Sequence, residues 1–155
     1  MPSRARDSRS EFTFVASRNA PASKRLTYFR RVGVSKVTNL NDSLNALMRT
    51  DGALCVALVD SNSGMMLGSV GTGVDLELAA AGNTEVVRAK MKTMQSLGLA
   101  DRIEDILITL GKQYHIIRPV VAKPGLFIYL VLDKVKANLA LARRNCQEQE
   151  QALKL

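Results

Sequence analysis

The chain has 155 residues, of which 46% are hydrophobic and only 5% are aromatic, and it contains no tryptophan. A chain of this length can form one domain with a substantial core. That core has to be built mainly from Leu, Val, Ile, Ala and Met. The apolar run at residues 126–132 has the length of a strand and is far too short to span a membrane as a helix. We therefore expect a soluble, cytoplasmic protein.

The net charge of +8 is concentrated at the start of the chain. Residues 1–38 contain nine basic and two acidic side chains, whereas the other 117 residues contain 13 basic and 12 acidic ones. Because residues 1–37 are rich in Arg and Ser and show no hydrophobic period, we expect a mostly disordered extension before a domain at 38–155. Three interpretations of this extension are open: contact with nucleic acid or an anionic membrane, a targeting peptide, or no role.

The domain is predicted to begin with a helix. Apolar residues recur at helical spacing over residues 40–48, and Asn39 or Asn41 can cap the helix at its start. The Asp-Gly pair at 51–52 is a turn signal that ends it.

A hairpin is predicted to follow this helix. Residues 53–59 are apolar on both faces, as in a central strand, and residues 65–70 form the second strand after a turn-rich segment at 60–64. Cys55 in this hairpin and Cys146 near the end of the chain both lie in apolar patterns. We expect two buried, reduced thiols.

A long middle helix is predicted from Asp75, a good N-cap, to about Leu97, with Gly98 ending it. The Gly-Asn pair at 82–83 is expected to interrupt it, and we interpret the glycine-rich stretch at 68–73 as a flexible linker. The apolar stripe of this predicted helix consists of Leu76, Ala79, Ala80, Val86, Val87, Met91 and Met94.

Three more strands are predicted at 103–110, 113–120 and 126–132, followed by a helix capped by Asp133. Val135, Leu139, Ala142 and Cys146 would share the apolar face of this helix. The resulting order, αββαβββα, predicts an α/β (α+β) fold with one five-stranded antiparallel sheet and helices packed on it.

Catalytic chemistry is not evident in the sequence. His115 is the only histidine and is expected to lie on a strand face. With two separated cysteines it does not make a zinc site, and the spacing of the glycines at 68–73 differs from that of a phosphate loop. Glu104 and Asp105 are adjacent, so in a strand they would face opposite ways. We predict no catalytic, metal or cofactor site and a protein that is not an enzyme.

Three segments together resemble the roadblock/dynein light chain family. They are the hairpin ALVDSNSGMMLGSVG at 57–71, the helix start DLELAAAGNTEVVRAKM at 75–91, and LFIYLVLDKVKANLALARR at 126–144. The resemblance implies a dimer in which the third strands of two protomers pair edge to edge. It also implies a middle helix on one sheet face and the two terminal helices on the other. Members of this family act as scaffolds or regulators of small Ras-like GTPases.

The sequence and this resemblance together predict a non-catalytic homodimeric scaffold that binds a small GTPase. Two alternatives stay open: a ligand-sensing module of the PAS or GAF kind, and a structural subunit that pairs with another roadblock-like chain. Nucleic acid or membrane contact would involve the basic extension only. The predicted dimer and partner interface consists of Ala79, Ala80, Gly82, Glu85, Arg88, Met91, Lys92, Asp105, Ile106, Leu107, Ile108 and Thr109.

Overall fold

A computed structural model describes residues 40–154 of the chain. The predicted basic extension and the possible cap at Asn39 lie outside the described residues. The elements are α1 (Leu40–Met48), β1 (Ala53–Asp60), β2 (Met66–Gly71), α2 (Leu76–Ser96), β3 (Ile106–Thr109), β4 (Gln113–Pro119), β5 (Leu126–Asp133) and α3 (Leu139–Ala152). This order confirms the predicted αββαβββα arrangement.

The five strands form one antiparallel sheet in the order β2-β1-β5-β4-β3. The two most apolar strands, β1 and β5, therefore lie inside the sheet, where Val56 pairs with Leu130. Leu130 in turn pairs with Ile116 of β4 on its other side. The two shortest strands, β2 and β3, form the edges.

Alternating side chains of the strands build two separate apolar clusters, one on each face of the sheet. One face packs against both terminal helices and includes Leu44 of α1, Leu130 of β5 and Ala142 of α3. The other face packs against α2 and includes Val87 and Phe127. The predicted distribution of helices, two on one face and one on the other, is confirmed.

The middle helix begins and ends where the sequence predicts. The Asp75 side chain accepts a hydrogen bond from the Leu78 amide at 3.1 Å, and Gly98 follows the C-terminal cap with a φ of +66°. The expected interruption at residues 82–83 is wrong, because the helix runs through both residues. A Cβ at Gly82 would meet no atom within 4 Å, so this glycine is not required by packing.

The predicted start of the last helix is wrong. Asn138 is its N-cap, accepting from the Leu141 amide at 3.1 Å. The Asp133 carboxylate instead accepts from the amides of Val135 and Lys136, which closes a turn before the helix. Val135, predicted on the buried face, is consequently 93% exposed.

Two further boundaries differ from the sequence prediction. Asn41 lies within the first turn of α1, so it is not the residue that precedes this helix. The third strand is half the predicted length because Asp105 turns its side chain to Arg143 of α3, and residues 103–105 form a loop instead. No helix in residues 40–154 is long and apolar enough to cross a membrane.

Replacing the cap of the last helix tests the corrected boundary. We expect Asn138→Ala to lower the free energy of unfolding by about 1 kcal/mol, because the Leu141 amide loses its acceptor. The exposed Lys136→Ala, two residues earlier, should change it by less than about 0.5 kcal/mol. Urea denaturation measures both, and an unchanged stability of Asn138→Ala would contradict the assignment.

Candidate partner-binding surface

Among residues 40–154, the edge strand β3 has a neighbouring strand on one side only. It pairs with β4 from Ile106 to Thr109, and no described strand lies on its other side. Ile106, Leu107 and Ile108 are each half-buried, and Thr109 is exposed. The backbone groups along the free side are available for pairing with another strand.

The middle helix buries little of its surface against the rest of residues 40–154. Of its 21 residues, the buried ones are Ala80, Thr84 and Val87, spaced four and three apart. The same spacing continues to Met91, which is 52% exposed, and to Met94, which is half-buried. The apolar stripe of α2 therefore extends beyond the part that the sheet covers.

Two grooves flank the exposed half of this stripe. One, of about 360 Å³, is mostly apolar and lies between α2 and the β4–β5 turn, where Met91 and Leu99 face Val121 and Pro124. The other, of about 390 Å³, lies between α2 and the edge strand and is lined by Val86, Met94, Ile103 and Ile106. Methionine and aliphatic side chains in open grooves suit a protein partner more than an enclosed ligand.

A line of polar side chains crosses the sheet face under α2. The Tyr129 hydroxyl lies 2.8 Å from His115 Nδ1, and His115 Nε2 lies 3.0 Å from Gln113 Oε1. Because the glutamine oxygen only accepts, His115 carries its proton on Nε2 and Tyr129 donates to Nδ1. Burial lowers the pKa of His115 and raises that of Tyr129.

Both cysteines are buried and free, as predicted. Burial raises the pKa of Cys55, and it raises that of Cys146 to about 12, so both thiols stay protonated. Cys55 and His115 share a sheet face, but each pairs with Val131 from opposite sides. They are thus two strands, or roughly 10 Å, apart and do not form a nucleophile–base pair.

A charged cluster anchors the start of the edge strand. The Arg143 guanidinium donates two hydrogen bonds of 2.9 Å to the Asp105 carboxylate, whose side chain is only 5% exposed. Arg118 of β4 lies 3.8 Å from the same carboxylate and 3.9 Å from that of Glu150. This cluster ties the loop before β3 to α3.

Solved structures with the same architecture include three roadblock-type proteins. A roadblock/LC7 domain from Streptomyces avermitilis has 11% identity and a TM-score of 0.64, covering 74% of this chain and 93% of that one. MglB of Myxococcus xanthus has 19% identity and a TM-score of 0.64, with coverage of 77% and 93%. An MglB structure with a tetrameric arrangement has 19% identity and a TM-score of 0.63, with coverage of 72% and 82%.

The chain has the roadblock fold. No family model matches the sequence, and no curated protein matches it significantly. At 11–19% identity these structures show the architecture, and the resemblance inferred from three sequence segments is confirmed at that level.

The structure exposes some of the predicted interface residues and leaves others inside the chain. Met91 and Lys92 are exposed on α2, whereas Ala80 is fully buried against the sheet. The Asp105 side chain is held by Arg143 and is not at the free edge. The remaining positions are Ala79, half-buried, Gly82 and Glu85, both exposed, and the four β3 residues described above.

Arg88, predicted to contact a partner, makes its side-chain contacts within the chain. Its guanidinium donates to the Asn62 carbonyl at 2.7 Å and pairs with Glu85 at 2.8 Å. It therefore fastens the β1–β2 turn to α2, a role that the sequence analysis missed because the partner lies 26 residues away. Also missed were the groove residues Leu99 and Val121, whose exposure becomes evident only once the fold is known.

The partly buried imidazole of His115 makes stability depend on pH. The pKa of His115 is below 6.5 in the fold, so the unfolded chain takes up the proton first as the pH falls. The contribution of His115 is full above pH 6.5, and the free energy of unfolding should fall as the pH is lowered below that value. Denaturation at pH 7.5 and 5.5 measures this, and His115→Gln should lose less stability across the interval than the parent. An equal loss would show that other groups are responsible.

Replacing Asp105 and replacing its hydrogen-bonded partner Arg143 should lower stability by different amounts. Asp105→Ala leaves the buried Arg118 without one of its carboxylates. It should lower the free energy of unfolding by about 3 kcal/mol. Arg143→Ala removes a half-exposed partner and should cost about 1 kcal/mol. Thermal and urea denaturation measure both. The reverse order would contradict the geometry of the cluster.

Proposed function

We propose that the protein is a non-catalytic, cytoplasmic, homodimeric scaffold that regulates a small Ras-like GTPase. The observation that carries the proposal is the coincidence of two incomplete surfaces on one side of the molecule. Among residues 40–154, the edge strand β3 has no strand on its outer side, and no element covers the stripe of α2 beyond Val87. Ile106 and Ile108 project from the edge strand toward the same face as α2.

A second copy of the chain would complete both surfaces together. Two antiparallel β3 strands related by a twofold axis would join the sheets, because such an interface presents the same patch from both protomers. Each protomer would then bring its α2 beside the uncovered half of its partner's sheet face. The roadblock fold supports this arrangement, since the family pairs through its third strands.

The outward side of α2 is the proposed contact for the GTPase. Lys92 is exposed there and forms no ion pair with another residue in 40–154. This cation suits an acidic partner surface. The proposal that the chain acts by binding rests also on the protonated thiols and on the separation of Cys55 from His115.

Self-association is tested by placing a charge on the edge strand. We expect the parent protein to sediment as a dimer, and Ile108→Lys to dissociate it, because a lysine at a paired edge is unfavourable. The matched control is Leu67→Lys on the opposite edge strand β2, where Leu67 is 50% exposed. Sedimentation velocity measures both, with circular dichroism as the folding check.

A monomeric parent protein at high concentration would refute the homodimer. It would favour the structural subunit that needs a different roadblock-like chain. Equal dissociation by Ile108→Lys and Leu67→Lys would place the interface elsewhere.

GTPase binding is tested with the small Ras-like GTPases encoded in the same genome, each loaded with GDP or a non-hydrolysable GTP analogue. We expect one of them to bind in a nucleotide-dependent manner. Lys92→Glu should weaken its affinity about tenfold, as expected for a charge reversed within an interface. Lys112→Glu, on the exposed β3–β4 turn, should leave the affinity unchanged. Absence of binding in every nucleotide state would overturn the GTPase assignment and favour a ligand-sensing module.

A further inference from the structure

A pocket of about 320 Å³ lies between the loop before β3, the end of β4 and the C-terminal half of α3. Arg118 lines it and points to the sheet face covered by the terminal helices, away from the stripe of α2. Its charged and polar lining consists of Arg102, Glu104, Arg118, Gln147, Glu150 and Gln151.

Arg118 is the unusual member of this pocket. The residue is only 8% exposed, and its buried Nε–H donates no hydrogen bond to any residue in 40–154. The carboxylates of Asp105 and Glu150 approach to 3.8 and 3.9 Å, which is ion-pair range but too long for hydrogen bonds. The terminal nitrogens of this guanidinium likewise make no hydrogen bond to a residue in 40–154, and, unlike Nε, they are not closed off from the pocket. A largely buried charged donor without an acceptor is costly, so these nitrogens favour an acceptor in the pocket.

The neighbouring carboxylates are already engaged. Arg143 holds Asp105 through two hydrogen bonds, and Glu150 Oε1 accepts from the Val121 amide at 2.9 Å. Arg102, by contrast, makes no side-chain hydrogen bond or ion pair with another described residue. Two guanidinium groups with unused donors therefore border the same space.

We propose that this pocket binds the carboxylate of a small aliphatic acid, with Arg118 as the principal donor and Arg102 as the second. The two oxygens of a planar carboxylate can accept hydrogen bonds from two parallel N–H groups of a guanidinium. A single negative charge is preferred because Glu104 and Glu150 also line the pocket and would repel a dianion such as phosphate.

An apolar wall on the other side of the pocket accommodates the rest of the ligand. Pro119, Val121 and Ala122 lie beside Ile103 there. At roughly 30 Å³ for each water-sized group, the pocket has room for on the order of ten such groups. A short-chain carboxylic acid fills this space with its alkyl part against the wall and its oxygens at Arg118.

The test follows the arginine Nε–Hε resonances of the ¹⁵N-labelled full chain by NMR. The probe is butyrate, compared with sodium chloride at equal ionic strength, inorganic phosphate and the neutral isostere 1-butanol. Butyrate is expected to shift the Arg118 resonance saturably in the millimolar range. A shift no larger than that in chloride, an equal effect of 1-butanol, or tighter binding of phosphate would overturn the proposal.

Variants assign the effect to the pocket. Arg102→Gln should weaken butyrate binding about tenfold, because a charge-assisted hydrogen bond is lost. Arg144→Gln, which removes an exposed α3 arginine paired with Glu148, should leave the affinity unchanged. Equal butyrate affinities of the parent protein, Arg102→Gln and Arg144→Gln would show that butyrate binds outside this pocket. Arg118→Lys, followed by thermal shift, should remove stabilisation by butyrate, and persistence of that stabilisation would contradict the assignment.

Discussion

One helix covers one face of a five-stranded sheet, and the rest of the molecule's behaviour depends on this constraint. Strands lie about 4.8 Å apart and a helix is about 10 Å wide, so a single helix shields roughly half of such a sheet. On the other face, α1 and α3 together bury a continuous cluster. The face under α2 leaves Ile106, Ile108 and the second half of the helix only partly covered.

The polar line from Tyr129 through His115 to Gln113 lies within this incompletely covered face. Tyr129 is 1% exposed, and its hydroxyl requires partners that a purely aliphatic face would not supply. His115 supplies one at 2.8 Å, so this hydroxyl is satisfied within the sheet, while α2 packs on the same face through Ala80 and Val87.

The order of the elements along the chain and the cap at Asp75 could be predicted from the sequence because both depend on neighbouring residues. Apolar runs identified β1 and β5, and Asp75 with Gly98 marked the ends of α2. The last helix shows the limit of that reasoning, since Asp133 and Asn138 are both good caps. The choice between them depends on the Gly52 carbonyl, which accepts from the Asp133 amide and holds that residue in the strand.

The candidate partner-binding surface could be located only approximately from the sequence, because contacts between distant residues decide which side chains remain free. Charged residues such as Arg88 and Asp105 are plausible interface residues from the sequence alone. In the structure, however, Arg88 hydrogen-bonds Asn62 and Asp105 forms an ion pair with Arg143. Ala80 belongs to the apolar stripe, and its burial follows from the crossing of α2 over β1, which no spacing reveals.

The most direct measurement of the central claim is hydrogen–deuterium exchange of the β3 amides at low and at high protein concentration. A strand completed by a second polypeptide should exchange more slowly at high concentration, together with the amides of α2 beyond Val87, while the inner strands β1 and β5 stay unchanged. Exchange of β3 that is independent of concentration, and of any added GTPase, would contradict the account.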